Sequence, residues 1–324
     1  MTILHLSSIA RCLLIFIRRL SFRNPHSKPI FSFCAFVCFF AISLTPVWSA
    51  QWVDEFGRKV TVPDDPRRIV SLAPSITEII FALNQESRLK GVTQFSDFPP
   101  EAVRLPSVGS YVHLDLEKIV ALKPDLCIAT KDGNPIKIIE RLENLNIPIY
   151  VVNPKNLESI MKTMVGIGRL LNAEDRAKTI VEEMQSRVNH VKSTVSKASG
   201  KPRVFFQIGI SPLVSAGTPT HIHELISLAG GKNVSEGPVP YPRYSHEQIL
   251  ILAPDVFIIS SMARGKQFAQ VKNEWTRWTD IPAVRNNRIY VVDSNLFDRP
   301  TPRLVDALEL LATLIHPDLF RTKE

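Results

Sequence analysis

Apolar positions recur at steps of three and four through the stretch AEDRAKTIVEEMQSRVNHVKSTVSKA, residues 173–198. Ala177, Ile180, Val181, Met184, Val188, Val191 and Val195 fall on one face of a helix, and the opposite face is charged. At the rise of an α-helix this stretch spans about 39 Å, the width of a small domain, and so reads as a spacer. Asn172 stands where a cap would start it, Glu174 and Asp175 place negative charge in its first turn, and Gly200 and Pro202 follow its end.

Short apolar runs alternate with amphipathic stretches on both sides of this helix, and the two sides repeat each other. DLEKIVALKPDLCIAT (residues 115–130) matches SHEQILILAPDVFIIS (residues 245–260), aligning Glu117 with Glu247 and Pro124-Asp125 with Pro254-Asp255. RRIVSLAPSITEIIFAL matches PRVFFQIGISP followed by HIHELISLAGG, each a strand, a loop and a helix carrying a glutamate, Glu78 or Glu224. IPIYVVNP (residues 147–154) matches RIYVVDSN (residues 288–295). Three matches in the same order predict two related α/β lobes with mostly parallel sheets, Rossmann-like in the alternation of strand and helix.

The strands are expected at 69–72, near 91–93, around Cys127 and at 149–152, then at 203–209, 256–259 and 288–292. Helices are expected at 77–83, from Leu116, at 136–145 and at 156–171, the last running on into the spacer. Beyond it come helices around Glu224 and Glu247, a helical stretch holding Trp275 and Trp278, and a last helix at 304–315, while residues 51–66 read as a hairpin turning at Gly57. The domain boundaries follow as 51–172 for the first lobe, 173–198 for the connecting helix and 199–324 for the second lobe.

Residues 1–50 have another character. Arg11, Arg18, Arg19, Arg23 and Lys28 occur with no acidic residue, followed by the uncharged run from Ile30 to Leu44. A basic segment ahead of an apolar segment too short to span a bilayer is the pattern of a secretory leader, with cleavage expected after Ser49 or Ala50. Removing its five positive charges takes the formal net charge from +8 to +3, so the basic balance is mostly a targeting signal and gives little reason to expect nucleic-acid binding. Three of the four cysteines leave with it, and Cys127, in an apolar run, is expected to be a buried, inert thiol. The expected form is a soluble, monomeric protein outside the cytoplasm, in the periplasm, with no intramolecular disulfide and no lipidated cysteine.

The chain carries no nucleophile elbow, zinc-protease helix or phosphate loop; Gly166 and Gly168 lie in a helical stretch and not after a strand. A binding function at the gap between the lobes is therefore the leading expectation, with no catalytic residue and no catalytic cofactor. Loops at matching strand ends carry Phe95, Tyr111, Tyr241 and Phe297 with Arg299 beside it. Flat apolar walls with few charges suit a large, planar, partly apolar ligand, since ring contacts add about 0.5–1.5 kcal/mol each beyond area burial. His113, His221, His223 and His246 sit in loops or at helix starts, but a metal site needs three or four ligands converging, and His221 and His223 read as the start of the Glu224 helix. Glu117 and Glu247 read as first-turn acids behind the caps Asp115 and Ser245, Ser245 forming a capping box with Gln248; they also read as a symmetric carboxylate pair for a two-fold partner carrying arginines, and the two readings are compatible.

GRKVTVP followed by RIVSLAPSITE, then LEKIVALKPD, the long helix and IPAVRNNRIYVV resemble the helical-backbone (class III) substrate-binding proteins of ABC transporters, over nearly all of the chain beyond the leader. FSDFPP, RVFFQIGISP, GPVPYPRYSHEQIL and FDRPTPR resemble the cobalamin-binding members of that class. The resemblance implies a lobe-helix-lobe fold with modest closure, cobalamin (vitamin B12) or a related corrinoid held between the lobes, and delivery to an inner-membrane ABC permease dimer. It places Phe95, Tyr111 and Tyr241 at aromatic ligand contacts, and Asn295, Leu296, Phe297, Asp298 and Arg299 in a ligand-contacting loop, with Asn295 standing at an aspartate and Arg299 matching an arginine. Glu117 and Glu247 match the two permease-docking glutamates, while Thr130 and Ile208 replace aromatic residues and imply a pocket that is roomier or tuned to another corrinoid. Receptors for iron-siderophores or heme share the scaffold and should carry more cationic residues in the cleft; an exported chelatase-like enzyme is the reading from another class.

Overall fold

The computed structural model describes residues 49–260 and 267–320. Most of the leader assigned above therefore lies outside the described residues. The described residues open with an antiparallel hairpin, β1 (Ser49–Val53) and β2 (Lys59–Pro63), turning at Gly57, whose φ of +78° is the left-handed conformation glycine tolerates. Buried Asp54 locks the turn by accepting from the backbone N–H groups of Phe56 and Arg58, each at 2.9 Å. Glu55 then docks the hairpin, accepting from the Thr163 hydroxyl and from the backbone N–H of Asn153.

The first lobe alternates β3 (Ile69–Ser71), α1 (Pro74–Ala82), β4 (Leu89–Gly91), α2 (Leu116–Ala121), β5 (Leu126–Thr130), α3 (Ile136–Asn144), β6 (Ile149–Val152) and α4 (Leu157–Leu170). Its sheet is parallel, in the order β4-β3-β5-β6. Helix α5 (Glu174–Val195) follows, 22 residues and so about 33 Å long.

The second lobe comprises β7 (Arg203–Gly209), β8 (Leu213–Ser215), α6 (His221–Leu228), β9 (Lys232–Asn233), β10 (Arg243–Tyr244), α7 (His246–Leu252), β11 (Val256–Ile259), α8 (Gln267–Trp275), α9 (Pro282–Arg285), β12 (Ile289–Val291), α10 (Ser294–Phe297) and α11 (Leu304–Ile315). Strands β9, β7, β11 and β12 reproduce the parallel order of the first lobe, and β8 and β10 extend the far end of β7 antiparallel. The fold is thus α/β, two lobes joined by one long helix.

Strand side chains alternate between two apolar layers, as the pleat requires. Leu126 and Ile128 of β5, Tyr150 and Val152 of β6, Val204 and Phe206 of β7, and Val256 and Ile258 of β11 all face one continuous core shared with α1, α4, α5, α6 and α11. Their neighbours Cys127, Ala129, Ile149 and Val151 face a separate layer under α2 and α3, and Phe205, Phe257 and Ile259 face another under α7 and α8. Helix α5 contributes Ala177, Ile180, Met184, Val188 and Val191 to the shared core, with Val181 and Val195 partly buried at its edge. Cys127 is fully buried, which pushes its thiol up to about 12.

The repeated Pro-Asp pair has a structural reason. Asp125 accepts from the backbone N–H groups of Arg67 and Arg68 at the start of β3, and the Arg68 side chain reaches back to the carbonyls of Leu122 and Lys123 after α2. Asp255 accepts from the N–H of Arg203 at the start of β7, and Arg203 reaches the carbonyl of Leu252. Each lobe therefore ties a helix end, a strand start and the neighbouring strand with one aspartate and one arginine.

The structure corrects the reading of α4 and α5 as one helix with Asn172 as its cap. Helix α4 ends at Leu170, Asn172 takes a left-handed φ of +56°, and its side chain instead donates to the carbonyl of Asp64. Residue 173 precedes α5 without a side-chain cap. The break lets α4 fold back on α5, and Gly168 is the point of closest approach: a Cβ there would lie 2.6 Å from the Cβ of Ala177. Gly168→Val is expected to destabilise the protein by about 1–3 kcal/mol, read as a lower denaturant midpoint at unchanged slope.

Candidate functional site

Loops leaving the C-terminal ends of both sheets meet between the lobes, and buried polar side chains fix their positions. The hydroxyl of Thr77 lies 2.8 Å from that of Ser71 and 3.0 Å from that of Ser96, which in turn lies 3.0 Å from the hydroxyl of Thr93. This buried chain pins the loop carrying Phe95 to the start of α1. Asn134, also buried, accepts from the N–H of Thr130 and donates to the carbonyls of Leu72 and Tyr111, each at 2.8 Å, so it holds three loops with one amide. Phe95 and Tyr111 are half-buried. The Tyr111 ring packs on Gly133, where a Cβ would come within 2.8 Å of it. Tyr241 stands 57 % exposed on the opposite lobe. Its phenol is pushed up by burial of the hydroxyl and by the charges of Asp298 and Asp132, one carboxylate from each lobe. Thr130 and Ile208, at the ends of β5 and β7, are half-buried.

The stretch Asn295–Arg299 does not act as a uniform loop. Asp293 caps the single turn α10 by accepting from the N–H of Asn295 at 2.9 Å. Asn295 and Leu296 remain half-buried, whereas Phe297 is fully buried and packs on Phe206 with ring centroids 5.4 Å apart. Phe297, expected in the ligand-contacting loop, thus contributes its ring to the shared core, where an apolar ring is stabilised by burial. Its carbonyl bonds Nε2 of His221 at 2.7 Å. Burial holds that imidazole below the ordinary histidine range, although the bond to the carbonyl partly opposes it. His223 contacts Asn233, and His246 stacks on Trp278 at 5.3 Å. Among the described residues no three His, Cys, Asp or Glu side chains gather as a metal site.

Arg299 is 7 % exposed and bonded through both Nη atoms. Its Nη1 donates to Glu78 Oε1 at 2.8 Å, and its Nη2 to the carbonyl of Phe95 at 3.0 Å and to Asn295 Oδ1 at 2.9 Å, with Asp97 at 2.7 Å. Arg303 adds two bonds to Glu78, each at 2.9 Å, and its guanidinium lies 3.6 Å over the Phe98 ring. Burial works against the charge of Arg299, yet Glu78 and Asp97 outweigh it and raise the guanidinium further. Arg299 thus supports the cleft from below, through a cluster linking both lobes. A cavity of about 240 Å³ adjoins the cluster, lined by Glu78, Phe81, Phe98, Pro302, Arg303 and two neighbours, and none of the expected ligand-contacting residues.

Glu117 and Glu247 are exposed in the first turns of α2 and α7. The caps behind them are as expected: Asp115 accepts from the N–H of Lys118, and Ser245 and Gln248 form a capping box. The Ser245 hydroxyl also lowers the Glu247 carboxyl.

Sequence reasoning found the loops but missed the cluster that positions them. Glu78 appears in the sequence only as the repeat partner of Glu224, and that pairing is the available signal. Glu224 also crosses between lobes, accepting from the N–H of Leu157 at the start of α4 at 2.8 Å. Asp97, Asn134 and Arg303 carry no repeat signal.

Asp298, half-buried beside Asp293, has its carboxyl pushed up to about 7 by burial, with Arg299 opposing and Asp293 adding to the shift. A carboxyl raised from 3.8 binds its proton more tightly folded than unfolded, so its ionisation costs stability as pH rises through that range and throughout the pH region above 7. Asp298→Asn is expected to raise the thermal midpoint at pH 8 and leave it nearly unchanged at pH 3.5, measured by calorimetry.

The periplasmic binding protein family profile matches residues 69–296. The vitamin B12-binding protein of Vibrio parahaemolyticus is 32% identical over 257 residues, covering 78% of this chain and 91% of that protein. The crystal structure of the periplasmic vitamin B12 binding protein of Vibrio cholerae superimposes with a TM-score of 0.69 at 30% identity, over 80% of this chain and 100% of that one. A periplasmic heme-binding protein from Pseudomonas aeruginosa gives a TM-score of 0.71 at 27% identity, over 78% of this chain and 93% of that one. With the profile spanning both lobes and a third of positions identical to a relative of nearly equal extent, the chain belongs to the periplasmic binding protein family.

Proposed function

We propose that this chain is the extracytoplasmic substrate-binding component of an ABC importer, a non-catalytic receptor that captures cobalamin or a related corrinoid between its lobes. In this reading residues 1–50 are a cleaved leader to the periplasm, residues 51–172 and 199–324 are the lobes, and residues 173–198 connect them. Phe95, Tyr111 and Tyr241 supply flat apolar contacts, and Asn295, Leu296 and Asp298 the polar and apolar rim, while Phe297 and Arg299 hold that rim from the interior.

One observation carries the choice of ligand. Arg299, the single cation among the expected ligand-contacting residues, is matched by Glu78 and Asp97 and offers no spare charge to the cleft. A pocket walled by aromatic rings over a neutralised guanidinium favours a large ligand without clustered carboxylates. The vitamin B12-binding relatives agree with this reading. The heme-binding neighbour supports a second one, a receptor for anionic tetrapyrroles on the same scaffold.

Glu117 and Glu247, exposed at repeat-related positions, suit docking on the two halves of an inner-membrane permease dimer, with the receptor acting as a monomer. Among the described residues no helix is long and apolar enough to cross a membrane.

Titration calorimetry of residues 49–324 is expected to show one cyanocobalamin per chain and hemin binding at least about tenfold weaker, a difference of roughly 1.4 kcal/mol; hemin binding the tighter would move the assignment to heme. Replacing both Glu117 and Glu247 by Ala is expected to abolish most uptake in a transport assay while cyanocobalamin affinity stays within about twofold, and a parallel loss of affinity would overturn the docking role.

A further inference from the structure

We propose that Glu78 is a positioning residue that sets the separation of the two lobes before ligand arrives, and so presets the rim formed by Phe95 and Asn295. Its effect on binding rests on the corrinoid-receptor reading; its effect on lobe separation does not.

Glu78 belongs to α1 of the first lobe and is 4 % exposed, yet its three nearest donors come from the second lobe: Arg299 Nη1, Arg303 Nε and Arg303 Nη2, at 2.8–2.9 Å. Through Arg299 the same carboxylate reaches the Phe95 carbonyl and Asn295 Oδ1, one on each wall of the cleft. Two guanidinium groups, buried Arg299 and half-buried Arg303, face two carboxylates, Glu78 and the more accessible Asp97, whose side chain is 34 % exposed. Withdrawing the Glu78 charge removes a carboxylate that both guanidinium groups share; Arg303 already borders the adjoining cavity, whereas hydration of the buried Arg299 is favoured by parting of this edge of the lobe interface.

A second strut lies at the repeat-related position. Glu224 of α6 accepts from the N–H of Leu157 at the N-terminus of α4, where the helix dipole also favours its charge. Burial pushes its carboxyl up, and that bond opposes the shift. Each lobe thus extends one glutamate into the other, in addition to the shared packing on α5. Losing Glu78 leaves the shared core, Glu224 and the contacts of Arg299 with Asp97 and the Phe95 carbonyl and of Arg303 with Phe98, so the lobes are expected to part only at the cluster while the chain stays folded.

The test uses residues 49–324 spin-labelled through Lys137→Cys and Asn273→Cys, exposed on opposite lobes, with buried Cys127 left in place. Without ligand, Glu78→Gln is expected to lengthen and broaden the interlobe distance distribution, and Glu78→Asp, which keeps the charge one methylene shorter, to fall between it and the parent. A Glu78→Gln distribution superimposing on the parent's would overturn the proposal. If Glu78→Gln fails to fold by circular dichroism, Arg303→Gln, at a side chain 20 % exposed, removes two of the three bonds and is expected to shift the distribution the same way by less; an unchanged distribution there overturns the proposal equally. Cyanocobalamin affinity is expected to fall about tenfold in Glu78→Gln and to recover partly in Glu78→Asp. Equal affinity in parent and Glu78→Gln would remove the positioning role, whereas a parent that binds no cyanocobalamin defeats the corrinoid reading and leaves the distance result to decide the strut.

Discussion

Both sheets bury one face in the same apolar layer, and the placement of each cleft loop follows from that sharing. Because β5, β6, β7 and β11 send alternate side chains into one core with α5, the lobes cannot slide past each other without exposing Val204, Phe206, Leu126 and Ile128 together. At roughly 1.5–3 kcal/mol for each large aliphatic or aromatic side chain, such exposure is prohibitive. Loops leaving the strand ends consequently inherit a frame that does not slide, and the remaining freedom is a small opening or closing at the rim-side edge of the lobes.

On that frame, charge is handled differently inside and outside. Arg187 of α5 meets Asp306 and Glu309 of α11 at a partly exposed surface, where solvent screening keeps such contacts modest. The Glu78 cluster is buried, and its worth lies in the cost of disturbing it: breaking one partner of a buried pair typically costs about 3–5 kcal/mol, even where the intact pair contributes little net stability. A device of that kind specifies geometry more than it adds stability, which matches its place behind a recognition surface.

The period-two and period-3.6 patterns were sufficient to read β3, β5–β7, β11 and the long helix, because those elements are decided by burial of one face. The internal repeat made both lobes legible, down to the aspartates that clasp their neighbouring strands. Elements decided by a few residues and distant partners were not legible. Strands β8, β9 and β10 have two or three residues each, too short for any periodicity. The break at Asn172 depends on the carbonyl of Asp64, 108 residues away, and the inward turn of Phe297 depends on Phe206. Arg299 was legible as a candidate for the site but not as a buried residue, since its partner Glu78 lies 221 residues earlier. Chemistry-bearing residue types can be found in a linear string; the pairing that neutralises them is a property of the closed chain.

Cys127 shows what the alternating layers imply for the chemistry of folding. In β5 it faces the layer beneath α2 and α3 with no exposed surface, and its thiol is held far above the range in which a thiolate forms. Among the described residues it is the one free cysteine, so neither an oxidant nor an isomerase has a bond to make or to reshuffle in the finished lobes. The thiol is shielded once α2 and α3 cover that face of β5, which makes the native state of this lobe indifferent to the redox poise of the compartment in which it matures.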